Sequence, residues 1–136
     1  MAFDFGQRRV GVAVGDRGLR IAHPLQTVEA ATAADRFSRI EALVREWNPV
    51  LFVVGLPVNL DGTEHPLSSQ AKSFARQLTE RFGREVRLVD ERYSSSEASM
   101  ALREAGVRGR AQKAHLDRFA AKTILEDFFG NDDADT

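Results

Sequence analysis

A run of apolar residues near the middle of the chain constrains the fold more than any other sequence feature. Residues Val50 to Val54 are continuously apolar, and Gly55, Leu56 and Pro57 follow them. A short run without polar residues at alternate positions is typical of a strand that is buried on both faces. Such a strand needs a covering layer on each side of its sheet, so the sequence predicts an α/β protein.

Three strands are predicted before that run. Two of them cover residues 2–5 and 10–14 and are joined by a turn at Gly6 to Arg9. The third covers Ile21 to Val28 and is interrupted at Pro24. Because proline lacks the N–H that a central strand donates, the third strand should lie at an edge or contain a bulge. Three leading strands indicate an antiparallel meander.

Apolar residues at helical spacing predict four helices in the rest of the chain. Thr32 and Asp35 form the expected N-terminal cap of the first helix. One further short strand is predicted at Val86 to Val89. The helices are marked in turn by Phe37 to Trp47, by Leu67 to Phe82, by the capping box Ser94 to Glu97, and by a stretch from about Gln112 to Phe129.

The predicted order of elements is β-β-β-α-β-α-β-α-α. Because the later strands alternate with helices, they should be parallel, which gives a mixed five-stranded sheet with helices on both faces. A length of 136 residues corresponds to one domain. We predict that this domain covers residues 1–130 and that residues 131–136 form a disordered acidic tail.

The net charge of −1 conceals an uneven distribution of charge along the chain. Five of the 20 acidic residues lie at or beyond Glu126, which leaves 15 acidic against 19 basic residues in the body, a charge of +4. All but three of the basic residues are arginines, whose planar guanidinium suits phosphate. A genome that prefers arginine codons would explain the same bias, so this charge permits nucleic-acid binding without requiring it.

Composition also excludes several classes of protein. The chain has no cysteine, so disulfides and thiolate metal sites are excluded. It has no apolar run of the length that spans a membrane, and its N-terminus lacks the basic-then-apolar pattern of a signal peptide. We therefore expect a cytoplasmic location.

Asp4 is the first candidate functional residue. It lies within a predicted strand, between two phenylalanines in the segment AFDFG. A carboxylate inside a strand costs free energy unless it is paired or binds a metal ion. The alternative is a strand-end aspartate that caps the turn through Gly6.

Asp90 and Glu91 follow the predicted strand at Val86 to Val89. Ligands of open α/β sheets bind beyond the carboxyl ends of the strands, so acids at this point are well placed for function. The alternative is an ordinary loop in which one acid pairs with Arg92. The sequence does not decide which of the two acids would be the ligand.

Asp117 lies at the start of the apolar stripe of the last predicted helix. The stripe continues through Ala120, Ala121, Ile124 and Phe128, so Asp117 should face the sheet. Acids on the solvated face of a helix do not need a partner, but an acid on this face does. The alternative is that free backbone N–H groups at the helix start satisfy it.

Three carboxylates at one point repel one another, and a divalent cation removes the conflict. Oxygen ligands, without cysteine or paired histidines, favour Mg²⁺ or Mn²⁺ over zinc. We expect two such ions, held by Asp4, Asp117 and one of the adjacent acids Asp90 and Glu91. The chemistry best served by two ions is phosphodiester hydrolysis, because one activates water and the other stabilises the leaving oxygen.

Four segments carry a resemblance to a known family. DFGQRRVGVAVGD from Asp4, VGLPVNLDGTE from Val54, DERYSSSEA from Asp90 and LDRFAAKTILEDFF from Leu116 resemble the YqgF/RuvX family. The resemblance covers residues 2 to about 129 and implies an RNase H-like fold. It further implies a nuclease that matures the 5′ end of the 16S ribosomal RNA precursor, or a Holliday junction resolvase. By resemblance, Asp4, Glu91 and Asp117 match the family's acidic triad.

Two features depart from the family's pattern. The chain begins three residues before Asp4, whereas family members usually have a few more residues before the first strand, and Gln7 stands where threonine is common. Neither departure affects the acids.

Two other functions compete with the nuclease hypothesis. A non-catalytic nucleic-acid-binding module on the same fold would be expected to lose the acids, which this chain keeps. An actin-like or sugar-kinase-like ATPase would explain the hairpin that begins at Asp4, but such proteins need two domains to close over a nucleotide.

The substrate-binding candidates are Arg92 beside the acids, Asn59 in the loop Pro57 to Glu64, and Lys113 in the basic segment Arg103 to Lys122. The alternative for the basic segment is a solvated helix face. We expect a nucleic-acid partner, either a ribosomal RNA precursor or branched DNA, and no membrane. The sequence leaves RNA against DNA open, and also monomer against homodimer.

Overall fold

A computed structural model describes the protein over residues 1–57, 66–90 and 109–132, with side chains in the last range described only for residues 119–130. The described part contains one five-stranded sheet and three helices. In chain order the elements are β1 (Ala2–Phe5), β2 (Arg9–Asp16), β3 (Ile21–Glu29), α1 (Ala33–Trp47), β4 (Leu51–Leu56), α2 (Ser68–Phe82), β5 (Glu85–Asp90) and α3 (Gly109–Asp132).

The sheet has the predicted mixed topology, with the strand order β3-β2-β1-β4-β5. The strands β1, β2 and β3 form an antiparallel meander, whereas β4 and β5 run parallel to β1. The strand that contains Pro24 is an edge strand, as predicted. It also contains a bulge, because Val12 pairs with Gln26 and Ala13 with Pro24, which leaves Leu25 as an extra residue.

The strand β4 is buried on both faces, as its continuous apolar sequence predicted. Phe52, Val53 and Val54 have almost no exposed surface. The strand begins one residue later than the apolar run, since Val50 precedes it and is 87% exposed. Both faces of the sheet are therefore covered next to β4.

One face of the sheet is covered by α1 and α2. Thr32 caps α1 as predicted, because its Oγ1 accepts a hydrogen bond of 3.1 Å from the backbone N of Asp35. The apolar stripes of both helices pack against the same side of the strands, with the exception of the half-exposed Trp47. The residues at the centre of this layer are aromatic: Phe3, Phe5, Phe37, Phe52 and Phe74.

The other face is covered by α3, which packs mainly across β1, β2 and β3. The strand residues beneath it are small and include Ala2, Ala13 and Ala22. At Gly15 an added Cβ would lie 2.9 Å from the Cδ2 atom of Leu125, which shows how closely the helix approaches the strands. Small side chains on the strands allow this close packing.

The bounds of α3 differ from the prediction by three residues at each end. The helix begins at Gly109 rather than near Gln112, and it ends at Asp132 rather than at Phe129. Its last two residues thus extend into the segment 131–136, and the predicted disorder of the remaining tail lies outside the described residues. The predicted helix that starts at the capping box Ser94 to Glu97 also lies outside them. Within the described ranges, no helix has the length and apolar character needed to cross a membrane.

Candidate functional site

Asp4 lies on the face of the sheet that α3 covers. Successive side chains of a strand point to opposite faces, and Phe3 and Phe5 pack with α1 and α2. Ala2 packs in the cluster beneath α3, so Asp4 shares that face. Asp4 is half-buried, near the carboxyl end of the central strand β1. The sequence prediction of an acid inside a strand is therefore confirmed.

Glycines occupy the sheet positions on both sides of Asp4. Gly11 of β2 is its direct antiparallel partner. On the other side, Gly55 follows Val54, which is the parallel partner of Phe3. Neither glycine has a side chain that could cover the carboxylate from the side. The two neighbouring strands therefore place no side chain directly beside the carboxylate on this face.

The turn that follows Asp4 depends on Gly6, which the sequence placed in the turn, and on Arg36, which the sequence did not single out. At Gly6 an added Cβ would lie 2.6 Å from the carbonyl oxygen of Arg9, so the turn excludes a side chain there. Arg36 of α1 donates a hydrogen bond from Nη2 to the carbonyl oxygen of Gln7. Its guanidinium carbon also lies 5.2 Å from the ring centroid of Phe5.

Arg36 therefore connects α1 to the residues on the carboxyl side of Asp4. Burial lowers the pKa of Arg36, and its Nε is buried without a hydrogen-bond partner among the described residues. The only sequence signal for this role is its place on the helix next to Phe37. That signal is too weak to separate Arg36 from the other arginines of α1.

Asp90 ends β5 at the same edge of the sheet as Asp4. Leu56, the last residue of β4, pairs with Asp90, and β4 runs parallel to β1. Val89 packs beneath α3, whereas Val86 packs with the cluster of α1 and α2. By strand alternation Asp90 shares the face of Val86, which is opposite to the face of Asp4. Glu91 is the next residue and lies outside the described residues.

The apolar stripe of α3 is confirmed over the part whose side chains are described. Ala120, Ala121 and Ile124 are fully buried, and Phe128 is nearly so. Residue 117 lies within the helix, four positions before Ala121 on the same stripe. The side chain of Asp117 lies outside the description, so its predicted inward orientation stays a prediction.

The side chains of the remaining predicted site residues also lie outside the part of the chain that the structure describes. Asn59 and Arg92 are not among the described residues, and Lys113 is described only as a backbone position of α3. Among the residues that are described, no group of three or more His, Cys, Asp or Glu side chains is arranged to hold a metal ion. That statement does not cover Glu91 and Asp117, two of the three predicted carboxylates, because their side chains lie outside the described residues.

The sequence as a whole matches one protein family, the RuvX Holliday junction resolvases, over residues 1–131. The chain belongs to the RuvX family. The RNase H-like fold that the resemblance implied is consistent with the mixed sheet and its helices, and it is confirmed.

Curated relatives of this RuvX-family chain carry a name that refers to RNA. A protein of Chromobacterium violaceum is 54% identical over 130 residues, which cover 95% of each chain. A protein of Methylobacillus flagellatus is 50% identical over 95% of this chain and 88% of its own length. A protein of Nitrosospira multiformis is 50% identical over 100% of this chain and 90% of its own. All three are named "Putative pre-16S rRNA nuclease".

Proposed function

We propose that this chain is a metal-dependent nuclease that hydrolyses phosphodiester bonds, with Asp4, Glu91 and Asp117 as its carboxylates. The observation that carries the proposal is the position of Asp4. It is a half-buried acid on the central strand, near the carboxyl end, between two glycine positions and on the face that α3 covers. A half-buried carboxylate near the carboxyl end of a central strand, between positions that carry no side chain, is well placed to take part in binding an ion.

The alternation of β5 favours Glu91 over Asp90 as the second carboxylate. Asp90 belongs to the face of α1 and α2, and Val89 to the face of α3. If the strand direction continues for one residue, Glu91 comes to the face of Val89, which is the face of Asp4. The alternation of β5 thus supports Glu91 rather than Asp90 as the proposed ligand.

Asp117 is proposed as the third carboxylate on the basis of helix periodicity. Residue 117 precedes the buried Ala121 by four positions and Ile124 by seven, so all three share one stripe. Because α3 packs across β1, the stripe runs over the strand that carries Asp4. This arrangement supports an acid that is brought to Asp4 from the helix side.

The donor set fits Mg²⁺ or Mn²⁺, because carboxylate oxygens are the ligands that hard divalent cations prefer. Asp4, Glu91 and Asp117 would hold two ions, and the glycine positions place no side chain directly beside Asp4. Bound ions supply the activation of a water molecule and the stabilisation of the leaving oxygen. Asp4 is held by the central strand, and Arg92, Asn59 and Lys113 are proposed to contact phosphates of the substrate.

For the substrate, we propose the 5′ end of the 16S ribosomal RNA precursor, processed in the cytoplasm. The names of the curated relatives support this choice. A four-way DNA junction is the second candidate, because the family's description is that of a Holliday junction resolvase. A binding module without cleavage is the remaining alternative, and the oligomeric state is left open between monomer and homodimer.

A cleavage comparison tests the proposal. Wild type, Asp4→Asn and Asp16→Asn are each incubated with precursor ribosomal RNA and with a four-way DNA junction, in Mg²⁺ and in a chelator. Asp16 is the matched control, since it is an exposed strand-end aspartate whose Oδ1 accepts from the N–H of Leu19. We expect cleavage by wild type and Asp16→Asn in Mg²⁺ only, and none by Asp4→Asn. Equal cleavage in the chelator would contradict the role of the metal.

A further inference from the structure

A cleft lies on the face of the sheet that α1 and α2 cover, which is opposite to the face of Asp4. It opens between α1 and the carboxyl-terminal end of α2 and has a volume of about 530 Å³. Three arginines line it, Arg45 of α1, Arg81 of α2, and Arg84 just before β5, and we call it the arginine cleft. Glu41 is the acid at its wall. The charged groups around the arginine cleft therefore sum to +2.

The three guanidinium groups are held in different ways. The guanidinium carbon of Arg81 lies 4.3 Å from the ring centroid of Phe37, which fixes the cation over an aromatic face. Arg84 donates from Nη2 to Oδ1 of Asn48 at 3.1 Å. Arg45 pairs with Glu41 at 2.7 Å along one turn of α1. Two of these cations, Arg81 and Arg84, have no carboxylate partner within the described part of the chain.

Stabilisation of helix ends explains only part of this arrangement. Cations near helix carboxyl termini interact favourably with the helix dipole, which accounts for Arg45 and Arg81. Arg84 lies beyond the end of α2, and its Nη1 is buried without an acceptor among the residues that the structure describes. A charged donor without an acceptor is unfavourable in the free protein. An anion in the arginine cleft would supply acceptors for the spare donors of Arg81 and Arg84.

We propose that the arginine cleft binds a backbone phosphate of the nucleic-acid substrate, as a second contact remote from the cleavage site. Guanidinium groups that retain spare N–H donors recognise phosphate oxygens in a planar, often bidentate geometry. This inference rests on the proposed nuclease function, because it assumes a nucleic-acid substrate. It adds a binding region that lies outside the segments proposed above for substrate contact.

One substrate can contact both the arginine cleft and Asp4 only by passing around the β5 edge of the sheet, because the two lie on opposite faces. The arginine cleft lies at the amino-terminal end of β5, whereas Asp4 and Asp90 lie at the carboxyl-terminal edge. Strands of this length separate the two ends by roughly 20 Å, at about 3.3 Å per residue. A duplex carries about one phosphate charge per 1.7 Å of its axis, so a folded RNA or a junction easily covers that distance.

Binding measurements with matched charge variants test the proposal. Wild type, R81Q/R84Q and the control K72Q/R76Q are titrated into a labelled RNA duplex of about 25 base pairs in a chelator, at several salt concentrations. Lys72 and Arg76 are exposed on another side of α2, so the control also removes two positive charges, but outside the arginine cleft. We expect R81Q/R84Q to weaken duplex binding about tenfold or more. The slope of log binding constant against log salt concentration, the salt slope, should become smaller in magnitude by about 1 to 2. The control should change both values much less.

Equal effects of the two double variants, or no effect of R81Q/R84Q, would overturn the proposal. Cleavage by wild type in Mg²⁺ is measured in parallel. A failure of the proposed phosphate contact in the arginine cleft can then be distinguished from a failure of the proposed nuclease function. Inorganic phosphate and a mononucleotide are titrated as well. Tight binding of either that needs Arg81 and Arg84, with unchanged affinity for the duplex, would assign the arginine cleft to a small phosphate ligand and overturn the backbone contact.

Two further variants keep the test independent of folding. R81K/R84K retains both charges, and we expect it to keep nearly the wild-type salt slope. If R81Q/R84Q does not fold, Arg45→Glu replaces it, because Arg45 has a 79% exposed side chain at the rim of the arginine cleft. Charge reversal there should also weaken duplex binding severalfold, and unchanged binding by a folded Arg45→Glu protein would count against the proposal.

Discussion

The two faces of the sheet are built from side chains of very different size. Beneath α1 and α2, phenylalanine rings fill the layer. The ring centroid of Phe74 lies 5.0 to 5.6 Å from those of three other rings, Phe3, Phe5 and Phe37. Beneath α3, the strand side chains are mostly alanines, and glycines flank Asp4. The first face buries much apolar area per residue, and the second brings a helix close to the strands.

This difference indicates that the two faces have different roles in the protein. Large aromatic rings contribute most of the hydrophobic stabilisation available to a sheet face. Small residues contribute less, but they allow α3 to lie close above β1, where Asp4 is found. We therefore expect changes on the aromatic face to affect mainly stability, and changes at the acids of the other face to affect mainly activity.

The largest expected effect on stability is at Phe74. Phe74→Ala removes a ring that is 2% exposed and contacts three others, so it should lower the free energy of unfolding by about 3 to 5 kcal/mol. Urea unfolding measures the change. The folded fraction of the variant should keep its response to Mg²⁺. A loss below about 1 kcal/mol would show that the aromatic layer is not the main source of stability.

The second prediction concerns activity on the α3 face. Removal of a group that only supports a metal ligand typically lowers metal affinity or activity by about 10- to 100-fold. Because Asp117 is proposed as a ligand itself, Asp117→Asn should reduce cleavage by about 100-fold or more. Without metal its thermal stability should equal or exceed that of wild type, because the substitution removes a charge that we expect to face the sheet. Added Mg²⁺ should stabilise wild type and not the variant.

The variant Asp117→Asn also distinguishes between a metal-binding role and a structural role of Asp117. If Asp117 only satisfies the start of α3, Asp117→Asn should be less stable by about 1 kcal/mol and should still cleave. That result would contradict the proposed three-carboxylate site and remove the functional distinction between the two faces.

The third prediction concerns the other end of β1 from Asp4. Burial lowers the pKa of the Met1 amine to about 6, and the amine donates a 3.0 Å hydrogen bond to the carbonyl oxygen of Leu51. In the unfolded chain its pKa is about 8. Between these values the unfolded chain binds more protons, so stability should rise from pH 6 to pH 8, by no more than about 2 to 3 kcal/mol.

Unfolding by urea at pH 5.5 and 8.5 checks this dependence. An N-terminally acetylated protein has no amine to titrate and should lose the corresponding part of the pH dependence. Identical pH dependence of the acetylated and free proteins would show that the amine at this end of β1 does not contribute.

The smallest expected effect comes from crowding the α3 face. Ala121 is fully buried against the sheet, and Ala121→Leu should lower the free energy of unfolding by about 1 to 3 kcal/mol through overpacking. Cleavage should fall as well, because α3 carries Asp117. Glu126→Leu is the control on the exposed side of the same helix, with a change of about 0.5 kcal/mol or less. Wild-type stability and cleavage in Ala121→Leu would show that close packing of α3 is unimportant.

Much of the fold was predictable because its signals are local. Continuous apolar residues predicted the buried β4, and Pro24 predicted an edge strand or a bulge, both of which are present. Thr32 and Asp35 predicted the start of α1. The ends of α3 were less predictable, since its glycine and polar residues continue the helix without an apolar signal.

The sequence by itself determined the order of elements, the mixed sheet and the acids that are candidates for chemistry, because hydrophobic periodicity and a charge within a strand are visible along the chain. Only the tertiary structure decided on which face of the sheet Asp4 and Asp90 lie. The register of β1 with β2 and β4 sets glycines beside Asp4, and the packing of Val89 under α3 assigns Asp90 to the other face. The arginine cleft likewise arises from residues of two helices and a strand start that are distant in sequence. Strand pairing and helix docking are long-range contacts, and local propensity carries no information about which distant residues they bring together.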